Sequence, residues 1–178
     1  MVDTGYHVPK AKWDRFTVLY SLDRSKKTVH RATSGAQDSY KHPTTKFEGG
    51  SGLVSTTMDY ARFMLMLANE GELNGVRLVA PRSIELMRTN HLTDVEQATY
   101  RRPGQGWGLD FSVVTDGAAS GESWSTGSYY WIGIAGTWFW VDPELDLTFV
   151  GMIQHSGVSI NEVQQLSRSL VYQAVVGK

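Results

Sequence analysis

Few residues in this chain could carry chemistry. Trp131, Ile132, Gly133 and Ile134 sit in the apolar run of residues 128–155. Strand alternation puts Trp131 and Gly133 on one face and Ile132 and Ile134 on the other. A glycine in such a run marks close approach of another backbone. Asp142, Glu144 and Asp146 bunch in a turn. A Ca²⁺ ion needs roughly six to eight oxygens in a defined loop, so these carboxylates read as solvated. His7, His30, His42, His91 and His155 have no i, i+4 pairing for a metal. Of these, His155 follows a strand and reads as a cap, a surface residue or a cleft border. Gly49, Gly50, Ser51 and Gly52 precede a helix but lack the lysine of a phosphate loop, so they read as a tight helix entry. Trp124, Trp131 and Trp138 could form an aromatic ligand surface, for sugars among others, although strand context points Trp138 and Trp140 to packing. No cofactor and no metal is implied.

The elements that must position these residues follow from pattern. Residues 15–22 and 28–32 are β-prone around a polar turn, a hairpin. Residues 33–48 read as a long loop. Thr56 to Asp59 resemble a capping box. Tyr60, Phe63, Met64 and Leu67 follow at i, i+3, i+4, i+7, widened by Leu65, Met66 and Ala68, so this helix should be buried on most sides. Gly71 should cap it. Asn74-Gly75 is a type I′ hairpin turn, and Ala80-Pro81 starts a shorter helix to about Arg88. Residues 89–105 are polar. Beyond them, residues 107–115, 129–141 and 145–154 read as three antiparallel strands. A capping box of Ser159 and Glu162 then opens a helix. Its Ile160, Val163, Leu166, Leu170 and Ala174 share one face and should pack on the sheet. The class is α+β, with a helical and loop part at residues 1–105 and a strand and closing-helix part at residues 106–178.

The 178 residues suffice for one ordinary domain with a sizeable core. Net charge is −1, so no electrostatic case exists for nucleic acid. Residues 1–50 carry nine Lys/Arg against five Asp/Glu, a mild basic bias that reads as solvated turns. Cysteine is absent, which excludes disulfides and thiolate metal sites. No signal peptide opens the chain. The longest charge-free stretch, residues 123–141, is broken by Gly, Ser and Thr and falls short of a membrane span. The chain reads as soluble, with its compartment left open.

Four segments in order carry a family resemblance: Met1-Val2-Asp3-Thr4-Gly5 with Tyr6, residues 49–63 from the glycine loop into the helix, residues 106–111 (GWGLDF), and residues 138–143 (WFWVDP). Together they resemble serine hydrolases of the β-lactamase/penicillin-binding-protein superfamily. The nearest branch is that of class C β-lactamases, family VIII carboxylesterases and D-amino-peptidases. The resemblance implies a fragment of the serine β-lactamase-like fold and hydrolysis of small esters, amides or lactams. It also implies three boxes. The nucleophile box, Ser-x-x-Lys, and the Tyr-x-Asn box are both missing from these 178 residues. The third box is matched by Trp131-Ile132-Gly133. By the resemblance, Gly133 permits close approach to the nucleophile helix, the Ile134 N–H is one oxyanion donor, and Trp131 and Ile132 border substrate. An uncharged Trp131, where relatives can carry Lys, favours neutral esters or amides. Ile132 would narrow a cleft if its face lined one.

The resemblance thus implies the C-terminal portion of a serine hydrolase, inactive alone, which a complementing N-terminal half could complete. The competing expectation is a non-catalytic binding or assembly module that oligomerises through an uncovered sheet edge and apolar helix face.

Overall fold

A computed structural model describes residues 1–23, 25–32, 36–156 and 161–176. In chain order the elements are β1 (Tyr20–Asp23), β2 (Thr28–Arg31), α1 (Ala36–Ser39), α2 (Thr57–Ala68), β3 (Glu72–Leu73), β4 (Val76–Arg77), α3 (Pro81–Met87), α4 (Asp94–Thr99), β5 (Gln105–Trp107), β6 (Ser112–Val114), α5 (Gly117–Ser120), β7 (Tyr129–Ile132), β8 (Thr137–Asp142), β9 (Leu147–Met152), β10 (His155–Ser156) and α6 (Asn161–Gln173). The fold is α+β. Its main sheet is antiparallel in the order β5-β6-β7-β8-β9. A second sheet, β10-β1-β2, pairs β1 with β10 in parallel.

Where the pattern predicts three long strands, the main sheet has five short ones. The Gly108 N–H donates to the Phe111 carbonyl, and Asp110 takes a left-handed φ of 69°, turning the chain between β5 and β6. Residues 133–136 turn it again between β7 and β8, closed by the Gly136 N–H on the Gly133 carbonyl at 3.0 Å. Alternation does not reveal this second turn, because its two central residues, Ile134 and Ala135, are apolar. The polar stretch before β5 also holds a helix, α4. Thr93 and Glu96 close a reciprocal capping box at its start, a signal present in the sequence and masked there by polarity.

The two faces of the sheet bury different cores. Phe111, Val113, Tyr129, Phe139 and Val141 pack against Met64, Met66 and Leu67 of α2 and Ile84 of α3. Val114, Trp124, Tyr130, Trp138 and Trp140 face the other way, against Val171 and Tyr172 of α6. In α2 the Thr56 hydroxyl accepts the Asp59 N–H, as a capping residue should. Burial is confined to one side, since Leu65 is exposed. Glu70, one residue before the expected glycine cap, also takes a left-handed φ of 55°. Asp59 itself is buried. It accepts the Asp3 N–H at 2.7 Å and the Thr4 hydroxyl at 3.1 Å, and it pairs with Arg62. These donors, the Asp3 N–H foremost, hold its carboxyl below the usual range against the opposing effect of burial. The N-terminal segment is thereby strapped to the start of α2.

The expected apolar face of α6 does not meet the sheet. Val163, Leu166 and Leu170 are exposed, while Gln164 and Arg168 are buried. The reason is chemical. The Arg168 guanidinium lies 3.8 Å from the Trp124 ring centroid and pairs with Glu122, and the Tyr172 hydroxyl donates to Asp142 at 2.6 Å. An aromatic sheet face offers sites for a cation and a phenol that hydrophobic periodicity cannot register. Ser159 and Ile160, the start of the expected cap, lie outside the described residues.

Asp142 is also not the solvated carboxylate the turn suggests. It is fully buried. Besides Tyr172 it accepts the Ser125 N–H at 3.1 Å and the N–H groups of Glu144 and Leu145 at 3.1 and 3.2 Å. Burial works to raise its pKa, yet the bonds from Tyr172 and Ser125 outweigh that and hold it below 3.8. Burial and the same carboxylate push the Tyr172 phenol well above its ordinary value. A carboxyl with a lowered folded pKa stabilises the fold fully above its unfolded pKa and loses that contribution as pH falls through the folded one. Tyr172→Phe should therefore cost about 1–3 kcal/mol at pH 7. The gap from the unsubstituted chain should shrink as pH drops through the lowered Asp142 pKa, as followed by urea denaturation across pH 7 to 3. A pH-independent gap would contradict this role.

Candidate active-site wall

The turn between β7 and β8 gathers the third-box residues. The Gly133 N–H donates to the Thr137 carbonyl at 2.7 Å, and the Gly136 N–H returns to Gly133. Neither Ile134 nor Ala135 has a positive φ, which fits a type I turn with Ile134 at its first central position. The outer side of the turn is tied down. The Ile153 N–H donates to the Gly136 carbonyl, and the His155 N–H donates to the Ala135 carbonyl at 2.9 Å. His155 thus braces the turn through its backbone. Among the described residues nothing accepts the Ile134 N–H, and the Ile134 side chain is 99% exposed. A Cβ on Gly133 would run into the Thr137 hydroxyl.

The remaining third-box residues part company. Trp131 projects on the α2 side with Tyr129 and stays 38% exposed. Ile132 projects to the α6 side, packed against the Trp138 and Trp140 cluster. The β7 alternation therefore keeps Ile132 off the face that carries Trp131. The tip that carries Ile134 joins neither core.

Trp131 meets Trp107 of β5 edge to face, with centroids 4.6 Å apart and planes at 82°. Sequence reasoning assigned Trp107 only to a strand. The signal was its flanking glycines. A Cβ at Gly106 would strike the Asn90 amide, and one at Gly108 would strike the Met87 carbonyl. Asn90 Oδ1 accepts the Trp107 N–H at 3.0 Å, and the Trp107 carbonyl accepts the His91 N–H at 2.8 Å. Trp107 is therefore clamped, and the two indoles form a fixed aromatic corner. By contrast Trp124 and Trp138 are buried, so the three-tryptophan ligand surface does not exist.

Chemically, the turn offers a backbone donor free to meet an oxygen, beside a glycine and an uncharged aromatic wall. A cleft of about 220 Å³, lined by Trp13, Phe16, Arg31, Gln37, Asp38 and Lys41 among others, shares no residue with it. Among the described residues no group of three or more acidic or histidine side chains could hold a metal, and no helix is long and apolar enough to cross a membrane.

The sequence matches the Beta-lactamase family over residues 1–166. Protein Rv1367c of Mycobacterium tuberculosis strain ATCC 25618 / H37Rv is 37% identical over 163 residues, which cover 87% of this chain and 40% of that protein. Uncharacterized protein MT1414 of strain CDC 1551 / Oshkosh matches to the same extent. Among solved structures, EstCE1, described as a hydrolase with promiscuous acyltransferase activity, superposes with a TM-score of 0.73 at 19% identity, over 96% of this chain and 46% of that one. Unliganded selenomethionyl simvastatin synthase LovD from Aspergillus terreus superposes with a TM-score of 0.79 at 16% identity, over 98% and 47%. The chain belongs to the Beta-lactamase family, within the serine β-lactamase/penicillin-binding-protein superfamily, and its α+β architecture is part of that fold. It spans less than half the length of these relatives.

The contact between Gly133 and Thr137 is testable in the chain by itself. Gly133→Ala should cost about 1–3 kcal/mol through overpacking. Adding Thr137→Ala should recover part of that loss, giving a coupling of roughly 0.5 kcal/mol or more in a double-mutant cycle by thermal denaturation. Strict additivity would show that Gly133 is free of Thr137.

Proposed function

We propose that this chain supplies one wall and one backbone oxyanion donor of an acyl-transferring serine hydrolase, and that it does not turn over substrate alone. The observation that carries this reading is the Ile134 N–H beside Gly133, which meets no acceptor among the described residues, in a chain with no Ser-x-x-Lys sequence. In the proposed reaction a serine hydroxyl from a complementing polypeptide adds to the substrate carbonyl carbon while its proton passes to a neighbouring base. The carbonyl oxygen becomes an oxyanion and accepts the Ile134 N–H. Collapse breaks the bond to the alcohol or amine, which leaves with a proton. Water then releases the acid and restores the serine. The uncharged Trp107 and Trp131 corner supports neutral ester or amide substrates over anionic lactams, since it offers no cation to a carboxylate.

A second reading, a non-catalytic assembly module, draws support from the outward apolar face of α6. The two readings differ in outcome. The pure chain should neither hydrolyse p-nitrophenyl butyrate nor be labelled by a fluorophosphonate, and a labelled serine in it would overturn the proposal. In a chimera where this chain replaces the matched stretch of Protein Rv1367c, ester hydrolysis should appear. There Ile134→Pro, which suits the first central position of a type I turn but deletes the N–H, should lower kcat about 10²–10³-fold with little change in KM. An inactive chimera favours the module reading, and an unaffected kcat removes Ile134 from the oxyanion role.

A further inference from the structure

We infer that the cleft lined by Trp13, Phe16, Arg31, Gln37, Asp38 and Lys41 is a binding site for a small free monocarboxylate, whose oxygens the Arg31 guanidinium takes. The cleft shares no residue with the turn that carries Ile134, so this site stands or falls apart from the catalytic reading.

The lining is held by the chain's own bonds. The Trp13 indole N–H donates to the Val8 carbonyl at 2.8 Å, and the Val8 N–H donates to the Tyr40 carbonyl at 2.7 Å. Phe16 meets Tyr40 edge to face, with centroids 6.3 Å apart. Gln37 accepts the Leu19 N–H at 3.1 Å and donates to the Thr17 carbonyl. Lys41 sits 5.6 Å from the Trp13 ring centroid and pairs with Asp38 at 2.8 Å. The Lys41 hydrogen bond foremost, with a smaller share from the charge of Arg31, holds the Asp38 carboxyl below its ordinary value, so the three charges share one field. Lys41 is thereby committed. Arg31 is not. It ends β2 opposite Tyr20, and its guanidinium makes no hydrogen bond or ion pair among the described residues.

The lining selects the ligand. Two cations against one carboxylate leave one positive charge uncompensated, which suits a monoanion, whereas a dianion would meet the Asp38 carboxylate. A guanidinium presents a planar fork that matches a carboxylate with two parallel N–H···O bonds. The volume of about 220 Å³ is below the roughly 300–1,000 Å³ of sites for drug-sized ligands, so the occupant is a short acid. Part of the basic bias of residues 1–50 therefore lines a cleft instead of a solvated turn.

The test is titration of the full chain with sodium butyrate at fixed ionic strength, followed by NMR at the Trp13 indole N–H, whose signal Trp13→Phe identifies. The expected result is a saturable shift that uncharged butyramide does not produce. Arg31→Gln, at an exposed position, should weaken binding about tenfold or more. Asp38→Asn should strengthen it about two- to fivefold, because it frees Lys41 from its pair. Lys26→Gln, at the far end of the same hairpin, should leave it unchanged. Circular dichroism verifies that each variant folds, and butyrate against butyramide on the unsubstituted chain serves if one does not. A shift that never saturates, a shift equal for butyramide, binding untouched by Arg31→Gln, or binding weakened by Asp38→Asn overturns the inference. Sulfate bound as tightly as butyrate would make the cleft a general anion patch and overturn the carboxylate assignment. Acetyl-glycylglycine bound more tightly than butyrate would make the occupant a peptide terminus and overturn the assignment to a free acid.

Discussion

The structure depends on the register of one hairpin. β7 and β8 pair with Tyr130 opposite Trp140, Trp131 opposite Phe139 and Ile132 opposite Trp138. Alternation then sorts seven side chains into two cores, one toward α2 and one toward α6. A slip of one residue would exchange the two sets and turn Trp131 into the α6 side. The tight turn at residues 133–136 excludes that slip, because only Gly133 tolerates the Thr137 hydroxyl across the hairpin and Gly136 sits at a φ of 92°. The same turn leaves the Ile134 N–H without a partner among the described residues. Packing and the proposed chemistry therefore share one cause.

Two buried carboxylates hold the surrounding elements to that hairpin. Asp59 joins the N-terminal segment to α2, which packs on β8 and β9. Asp142 ends β8 and binds the segment before β7, the β8–β9 turn and α6 at once. Each carboxylate is met by several donors, the condition under which a buried charge supports a fold. The Asp142–Tyr172 bond also explains the orientation of α6. Fixing the phenol toward the sheet sends Val163, Leu166 and Leu170 outward.

Much of this was legible in the sequence. The helix at residues 57–68, the Asn74-Gly75 turn and the α+β class followed from caps, periodicity and turn chemistry. The four family segments identified the superfamily, and the comparisons agree. What escaped had physical reasons. Two turns escape alternation because Ile134 and Ala135 are apolar and because Leu109 and Phe111 flank the single polar Asp110, so both stretches look like continued strand. Hydrophobic periodicity points to the other face of α6 because it ranks Leu166 above Arg168, whereas the Arg168 guanidinium packs over Trp124 on this sheet. Asp142 looked solvated because its four donors come from three separate segments. Trp107 gained its partner only when the order β5-β6-β7 brought it to Trp131.

The central claim concerns a single amide, and amide hydrogen exchange followed by NMR addresses it directly. Gly133 and Gly136, both bonded within the turn, should exchange slowly, whereas the Ile134 amide should exchange at close to the rate of an unstructured peptide. An Ile134 amide protected as strongly as its two neighbours would mean that the donor is already engaged within the chain, and the account of this turn as an open half of an oxyanion site would be wrong.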